Sequence, residues 1–263
     1  MIAERQTTPG SSPARRDLPP ASRRGVRPLP SGFAAALMTM AALIVPLSHA
    51  GTRLEMTPHP WRLDSSGDGI ALYRGEVTKS GIVPSKVVMS IPGTIAEVSL
   101  VLEDIPRRRE WVSNLDRSVL LERTNDYDQK EYLRVAVPWP ASDRSAVIRA
   151  LVTVSDDLRQ ATIAAQSVDL AGPDSLPRLV RATVHASTFQ MTQVGNDVDV
   201  VAYIYIDPAG SVPKWIVNYF SRRVARATLN GLRRQVARRL YTPEQVVAMH
   251  DRMRRYREFR AGR

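Results

Sequence analysis

The chain has 263 residues, 43% of them hydrophobic, and no cysteine, so it can bury a core but cannot form disulfides, thiolate metal sites or a cysteine nucleophile. Its net charge of +11 is uneven: residues 214–263 carry fourteen basic and three acidic residues, whereas residues 51–213 carry 17 basic and 21 acidic ones. A basic C-terminal tail on a mildly acidic body indicates a solvated helix face or an anionic membrane surface as partner, and no nucleic acid, because no aromatic-studded basic sheet accompanies it.

Residues 1–50 have the organisation of a secretory signal peptide. The first 32 residues are rich in Pro, Ser and Arg, which predicts a disordered basic segment. An uncharged apolar run, Phe33 to Leu47, follows, and Ser48-His49-Ala50 supplies the small residues that a signal peptidase requires. The run is shorter than the roughly 20 apolar residues that span a bilayer. We therefore predict a periplasmic or secreted protein, with an uncleaved N-terminal membrane anchor as the alternative.

The first part of the folded region mixes strand and helix signals. Two strand candidates, Gly69–Gly81 and Lys86–Ile91, precede a helix that begins after Thr94. Glu97 stands three residues after Thr94, as in a capping box, and apolar residues continue at helical spacing. A second, short helix is predicted over Arg107–Val112.

The middle of the chain consists of short runs rich in β-branched residues, separated by turn-forming residues. The predicted strands are Ser118–Arg123, Glu131–Val137, Ala146–Val154, Ala161–Val168, Arg181–Val194 and Asp199–Ile206. Gly195-Asn196-Asp197 joins the last two as a hairpin turn. This spacing favours an antiparallel sheet.

From Val212 the apolar period becomes helical. The predicted stripe consists of Ile216, Phe220, Val224, Leu229, Leu232, Val236 and Leu240. A helix of nearly thirty residues would be about 40 Å long. Thr242-Pro243 begins another helix, with Gln245 at the capping-box position, which makes residues 242–263 an Arg-rich helical tail.

One sheet and one long helix leave few ways to bury both apolar faces. The sequence therefore predicts an α+β fold in which a curved antiparallel sheet wraps around the C-terminal helix. This domain is expected over residues 61–241, after a linker over residues 51–60.

Three segments of the chain resemble the START lipid-transfer domain, a member of the helix-grip superfamily that also contains polyketide cyclases. They are "RREWVSNLDRSVLLE" (108–122), "VPWPASDRSAVIR" (137–149) and "DPAGSVPKWIVNYFSRRVARATLNGLRRQV" (207–236). The resemblance implies an internal apolar cavity between the sheet and the helix. It also implies that the loop with the "WP" element lies beside the helix, over the mouth of the cavity.

The resemblance indicates candidate ligand-binding residues. Trp139, held between Pro138 and Pro140, would close the cavity. At the start of the C-terminal helix, the cavity candidates are Trp215, Ile216, Tyr219 and Phe220.

A cavity acid paired with an arginine on the next strand occurs in some members of the family. Glu131 and Arg149 are the candidates, although Arg149 lies one residue short of the usual place and one residue changes the face of a strand. The alternative is two solvent-facing charges. The acid that usually follows "SDR" is Ser145 here, so a salt bridge expected at that position is in doubt.

The leading functional hypothesis is a protein that binds one hydrophobic ligand, a lipid, a sterol or hopanoid, or a fatty-acid-like molecule, and transports it between membranes. The histidines lack metal-ligand spacing, and no Gly-x-Ser-x-Gly elbow, P-loop or dinucleotide fingerprint occurs, so we predict no cofactor and no catalytic residues. The alternatives are a cyclase- or hydratase-type enzyme on the same fold, and a non-lipid interaction module that uses the Arg-rich tail.

We expect the mature protein to begin at or near Gly51, because that junction has the small residues that the peptidase needs. N-terminal sequencing of protein purified from its native host measures this directly. An intact leader would instead indicate an N-terminally anchored protein.

Overall fold

The computed structural model describes residues 60–79, 81–174, 176, 178–210, 212–213, 216–217 and 219–262. Tyr219 and Ser221 are described only by their backbone. The predicted signal peptide lies outside the described residues, as does the predicted linker up to residue 59.

The described residues form a ten-stranded sheet. Its strands are β1 (Arg62–Gly67), β2 (Ile70–Arg74), β3 (Ser85–Pro92), β4 (Leu115–Asn125), β5 (Asp128–Val135), β6 (Arg144–Val154), β7 (Gln160–Ser167), β8 (Val180–Arg181), β9 (Thr183–Val194) and β10 (Asp197–Asp207). Their order is β1-β2-β3-β10-β9-β7-β6-β5-β4, and neighbours along this path are antiparallel. Only the short β8 pairs in parallel, with β6. The predicted antiparallel sheet is confirmed.

Three α-helices accompany the sheet in the described part of the chain. They are α1 (Ile95–Glu103), α2 (Ala225–Ala237) and α3 (Pro243–Ala261), with a single 3-10 turn at Arg108–Glu110. The predicted capping boxes are present, with Thr94 and Glu97 at the start of α1 and with Thr242 and Gln245 at the start of α3.

The predicted long C-terminal helix is present, but only part of it is α-helical. A π-helical segment, Tyr219–Val224, precedes α2, which is 13 residues long. A π-turn inserts an extra residue into the helical repeat. The extra residue is visible in the predicted apolar stripe, because the spacing from Val224 to Leu229 is five residues instead of three or four.

Strand β1 was not predicted, because its sequence, RLDSSG, is polar and lacks alternation. Arginines of the C-terminal helix hold it in place. Arg226 donates to the carbonyl of Gly67 (2.9 Å) and to Ser65 Oγ (3.0 Å), and Arg233 donates to the carbonyl of Asp68 (2.8 Å). Part of the helix charge therefore binds the β1–β2 hairpin and does not face free solvent.

The main hydrophobic core lies between the inner face of the sheet and the helices. On the sheet it contains Val87, Met89, Ile91, Met191, Val198 and Val200, and on the helices Ile95, Val98, Val101, Leu229, Leu232 and Val236. The sheet and the C-terminal helix pack as the helix-grip prediction requires, and that fold class is confirmed. No helix in the described ranges is both long and apolar enough to cross a membrane.

On the outer face, the connection between β7 and β8 is anchored by Asp174. This carboxylate accepts hydrogen bonds from Tyr132 Oη (2.8 Å) and from Arg134 (2.6 Å), and it also pairs with Arg117. Burial, followed by the hydrogen bond to Asp174, raises the pKa of Tyr132 to about 12. Asp174 thereby holds the connection over the strands, and Arg181 adds hydrogen bonds to the carbonyls of Val168 (3.3 Å) and Leu170 (2.8 Å).

The closest approach of α2 to its surroundings is at Gly231. A Cβ atom added there would lie 2.2 Å from the carbonyl oxygen of Trp111, whose side chain is buried. Nearby, the backbone amide of Ser113 donates to Thr228 Oγ1 (3.1 Å). Backbone contact with the turn before β4 thus sets the distance between α2 and the sheet.

We expect Gly231→Ala to destabilise the protein by about 2 kcal/mol or more, because backbone atoms cannot yield to the added methyl group. Helix propensity alone would instead predict that alanine stabilises the protein by about 1 kcal/mol. Chemical denaturation measures the change in the free energy of unfolding. Gly262→Ala is the matched control, since its added Cβ would meet nothing nearer than 3.6 Å; equal stability of both variants would contradict the close contact.

Candidate functional site

The inner face of the sheet continues beyond the main core. A separate apolar cluster consists of the buried Ala146, Ile148 and Val184, with Leu133 and Ala165 half-buried against it. These five residues define what we call the open half of the inner face. The partial exposure of Leu133 and Ala165 on an inward-facing surface means that the described helices leave apolar area uncovered there.

The start of the C-terminal helix brings one predicted site residue into the interior. Ile216 is 2% exposed and Phe220 is half-buried, whereas the neighbouring Val217 is exposed. Trp215 and the side chain of Tyr219 lie outside the described residues, so their assignment stays a prediction.

Trp139 does not cover a cavity in this structure. Its side chain is 88% exposed, which makes that prediction wrong. The contacts that fix the loop are made at its base and not at its tip. Asp143 accepts a hydrogen bond from the amide of Val137 (3.0 Å), and the tip that carries Trp139 projects outward.

Arg144 is the residue that joins the loop to the C-terminal helix. It is 8% exposed, and its guanidinium donates to the carbonyls of Pro208 (3.0 Å) and Ala209 (3.2 Å), just before the helix, and to that of Ser142. Burial lowers the pKa of Arg144 from its usual value. The sequence analysis missed this role, although an arginine that directly follows a proline-stiffened loop and begins a strand was the available signal.

The predicted pair of Glu131 and Arg149 does not form. Glu131 lies opposite Ile148 and points inward, whereas Arg149 lies opposite Lys130 and points outward. Arg149 instead binds Asp128 (Nε to Oδ1 2.8 Å), and this hydrogen bond raises the pKa of Arg149. The one-residue offset places Arg149 on the face opposite to Glu131, because successive side chains of a strand point to opposite faces.

Glu131 pairs with Arg108, from the 3-10 turn after α1. The carboxylate is 2% exposed and contacts both terminal nitrogens of Arg108. It also accepts a hydrogen bond from Gln129, and Arg108 donates to the carbonyl of Leu102 (2.8 Å). A buried acid–arginine pair is therefore present, but its arginine comes from the 3-10 turn and not from the next strand.

A small cavity adjoins this pair. It has a volume of about 30 Å³, and its lining combines Glu103, Arg108 and Glu131 with apolar residues, which are Leu102, Ala150, Val152 and Ile163. That volume holds about one water molecule. Burial raises the pKa of Glu103, which Arg252 partly opposes. This end of the inner face is closed and polar, in contrast to the open half.

The Arg-rich tail forms α3, and several of its arginines have acidic or carbonyl partners. Arg252 pairs with Glu103, Arg257 donates to the carbonyl of Asp156 (2.7 Å), and Arg260 pairs with the Asp156 carboxylate (3.0 Å). Met249 and Met253 are buried in the main core. The tail is therefore a packed helix whose basic residues are partly used in structural contacts.

Among the described residues, no group of three or more His, Asp or Glu is arranged to hold a metal ion.

The chain matches known lipid-transfer proteins. The START domain family profile covers residues 53–241 and so ends before α3. An uncharacterized protein of Pseudomonas aeruginosa is 26% identical over 68% of this chain and 88% of its own length. The mouse phosphatidylcholine transfer protein is 25% identical, over 64% and 79%. A crystal structure of a STAR-related lipid transfer protein from Xanthomonas axonopodis superposes with a TM-score of 0.58 at 26% identity, covering 67% of this chain and 98% of that one.

We expect Arg108→Met to destabilise the protein by about 3–5 kcal/mol, because it leaves the Glu131 carboxylate buried without its cation. The double variant Arg108→Met/Glu131→Gln should recover much of that loss, since neither side chain then carries a charge. Denaturant titration of the two variants beside wild type measures both effects. A double variant less stable than the single one would contradict the assigned pairing.

Proposed function

We propose, from the premise that this chain belongs to the START domain family, that it binds a single hydrophobic molecule against the open half of the inner face and carries it between membranes. The ligand class is a lipid, a sterol or hopanoid, or a fatty-acid-like molecule. Desolvation supplies the affinity, since each buried methylene contributes about 0.8 kcal/mol. Binding therefore needs neither a cofactor nor a covalent step.

The observation that carries this proposal is the uncovered apolar surface of the open half. Leu133 and Ala165 face inward yet remain half-buried, and Ile163 and Phe189 do the same at the border with the main core. An apolar ligand would complete this packing. The family match and the lipid named for the mouse relative support a lipid as the occupant.

The two ends of the inner face suggest an orientation for the ligand. Its apolar body would lie on the open half, and its polar end would point toward the buried pair of Arg108 and Glu131. A pocket that is mainly apolar and has few polar groups is the usual arrangement for a small-molecule site.

Release would require the covering elements to move. Arg144 binds the "WP" loop to the carbonyls of Pro208 and Ala209, so we infer that the loop and the start of the C-terminal helix move together. The hairpin contacts of Arg226 and Arg233 hold the later part of the helix.

We also propose that the protein works in the periplasm or outside the cell, on the basis of the signal peptide predicted for residues 1–50. Peripheral contact of the Arg-rich tail with an anionic membrane is a further part of the proposal. Arg255 supports it, because it is exposed on α3. Arg254 is also exposed, although it pairs with Asp251 (2.9 Å), whereas Arg252 is engaged with Glu103.

A cyclase- or hydratase-type enzyme is the second candidate, and one observation favours it. The small cavity is lined by Glu103, whose pKa is raised by burial and lowered in part by Arg252, and by Glu131. A carboxyl group whose pKa is raised beside a cavity is of the kind that serves as a general acid. Turnover of a candidate substrate that is lost in Glu103→Gln would favour this function.

We expect Ala165→Phe to reduce lipid binding at least tenfold, because the added ring occupies the open half where the ligand would lie. The new side chain is apolar on an apolar surface, so the fold should be retained. Transfer of a fluorescent phospholipid between vesicles, with circular dichroism as the folding check, measures the effect.

The matched control is Ala164→Phe. This neighbour on β7 has similar exposure and points to the outer face. If both variants transfer lipid like wild type, or if both lose transfer equally while folded, the open half is not the binding site.

A further inference from the structure

The β1–β2 hairpin and the connection from β2 to β3 enclose a groove at one edge of the sheet, which β3 and β10 separate from the open half. Its volume of about 340 Å³ is within the range of small-molecule sites. The lining combines three charged and three apolar residues: Arg62, Asp64, Arg74, Leu63, Val77 and Val83. Leu63 is 59% exposed and Val77 67%, so apolar area remains open there. We call this site the edge groove.

Two arginines of the edge groove stand opposite each other across the hairpin. Arg62 of β1 is the direct cross-strand partner of Arg74 of β2. Their side chains therefore leave the sheet on the same face, with Cβ atoms about 5 Å apart, where like charges repel each other. Within the described part of the chain, neither guanidinium has a carboxylate or carbonyl partner. An anion bound between the two would offset this repulsion.

The acidic residues of this region do not supply that anion. Asp64 binds Arg222 of the π-helical segment (2.9 Å), and its second carboxylate oxygen is buried without a hydrogen-bond partner among the described residues. Glu76, two residues after Arg74, lies outside the lining and makes no ion pair with either groove arginine in the described ranges. The positive charge of Arg62 and Arg74 is therefore left for a ligand.

Backbone hydrogen bonds fix the apolar wall of the edge groove. The amide of Gly75 donates to the carbonyl of Pro84 (2.9 Å), and the amide of Thr78 donates to the carbonyl of Ile82 (2.9 Å). These bonds tie the two sides of the β2–β3 connection together and hold its valines in place. A site that is formed before the ligand arrives loses less conformational entropy on binding.

We propose that the edge groove is a second ligand site, which binds a small organic acid with an apolar chain. The carboxylate would lie between Arg62 and Arg74, because the planar guanidinium group matches a carboxylate with two parallel hydrogen bonds. The apolar chain would cover Leu63 and Val77. This site does not depend on the proposed lipid site, since the ligand of the open half directs its polar end toward the closed end of the inner face.

The experiment titrates octanoate into the purified chain with isotope-labelled valine methyl groups, followed by NMR. The methyl signals of Val77 and Val83 report the edge groove, and those of Val184 report the open half. Octanoate should shift the signals of Val77 and Val83. Octanol lacks the anionic group and inorganic phosphate lacks the apolar chain, so each should bind the groove roughly tenfold more weakly than octanoate.

Arg62→Gln and Arg74→Gln should each weaken octanoate binding at the edge groove by roughly tenfold, because each removes one charge-assisted contact. Both variants should remain as stable as wild type, since each removes a repulsion between like charges. Arg123→Gln is the matched control, because it removes an exposed arginine from β4, at the other edge of the sheet. It should bind octanoate like wild type.

Four results would overturn the proposal: no shift of the groove valines with octanoate, binding of octanol or phosphate equal to that of octanoate, unchanged binding in both groove variants, or equal loss of binding in the control. The same spectra test the open half separately. Shifts of Val184 that Ala165→Phe abolishes, while the shifts of Val77 persist, would support both sites. Shifts of Val77 without any at Val184 would support the edge groove and count against the proposed function.

Discussion

The backbone contact between Gly231 and Trp111 sets how deeply the C-terminal helix sits against the sheet. From this contact α2 extends over the inner face, where it packs against β2 and β3 and contributes Leu229, Leu232 and Val236 to the main core. The helices cover only part of a ten-stranded sheet, so the cluster around Ile148 and Val184 stays separate from the main core. An apolar surface that the described residues leave uncovered is what makes a hydrophobic ligand the expected occupant.

The two ends of the domain have different chemistry. The closed end is polar and strongly paired: Glu131 with Arg108, Glu103 with Arg252, and Asp156 with Arg260. The last two contacts hold α3, which lies beyond the residues that the START family profile matches. The opposite end, where β6 begins and β10 ends, is held mainly by Arg144 and Asp174.

Much of the fold could be predicted from the sequence, because its signals are local. The capping boxes at Thr94 and Thr242 and the alternation in the middle strands each depend on a few neighbouring residues. Strand β1 was not predicted, because distant arginines hold its polar residues in place. The turn that follows it was a usable signal, since Asp68-Gly69, both with positive φ, form a typical hairpin turn. The π-turn appeared only as a five-residue step in the apolar stripe.

The site was harder to predict, because its pairs depend on faces and on three-dimensional neighbours. Ile216 was placed correctly in the interior from the helical stripe. Glu131 was predicted as a cavity acid; it is buried, but its partner is Arg108, 23 residues earlier, and its contact with a ligand stays a prediction. A strand register was needed to place Arg149 on the outer face. The exposure of Trp139 could not be predicted from the stiffness of its loop, since two prolines hold a ring equally well inward or outward. Arg144 binds backbone carbonyls more than 60 residues away, and no spacing rule reports such contacts.

The central claim is that the open half of the inner face holds a hydrophobic ligand. Its most direct test is mass spectrometry of the protein purified from its native host, first intact under non-denaturing conditions and then after organic extraction. The account predicts a single bound apolar molecule per chain that appears in the extract and is absent from Ala165→Phe purified in the same way. A chain that carries no extractable molecule and takes up none from lipid vesicles would contradict the account.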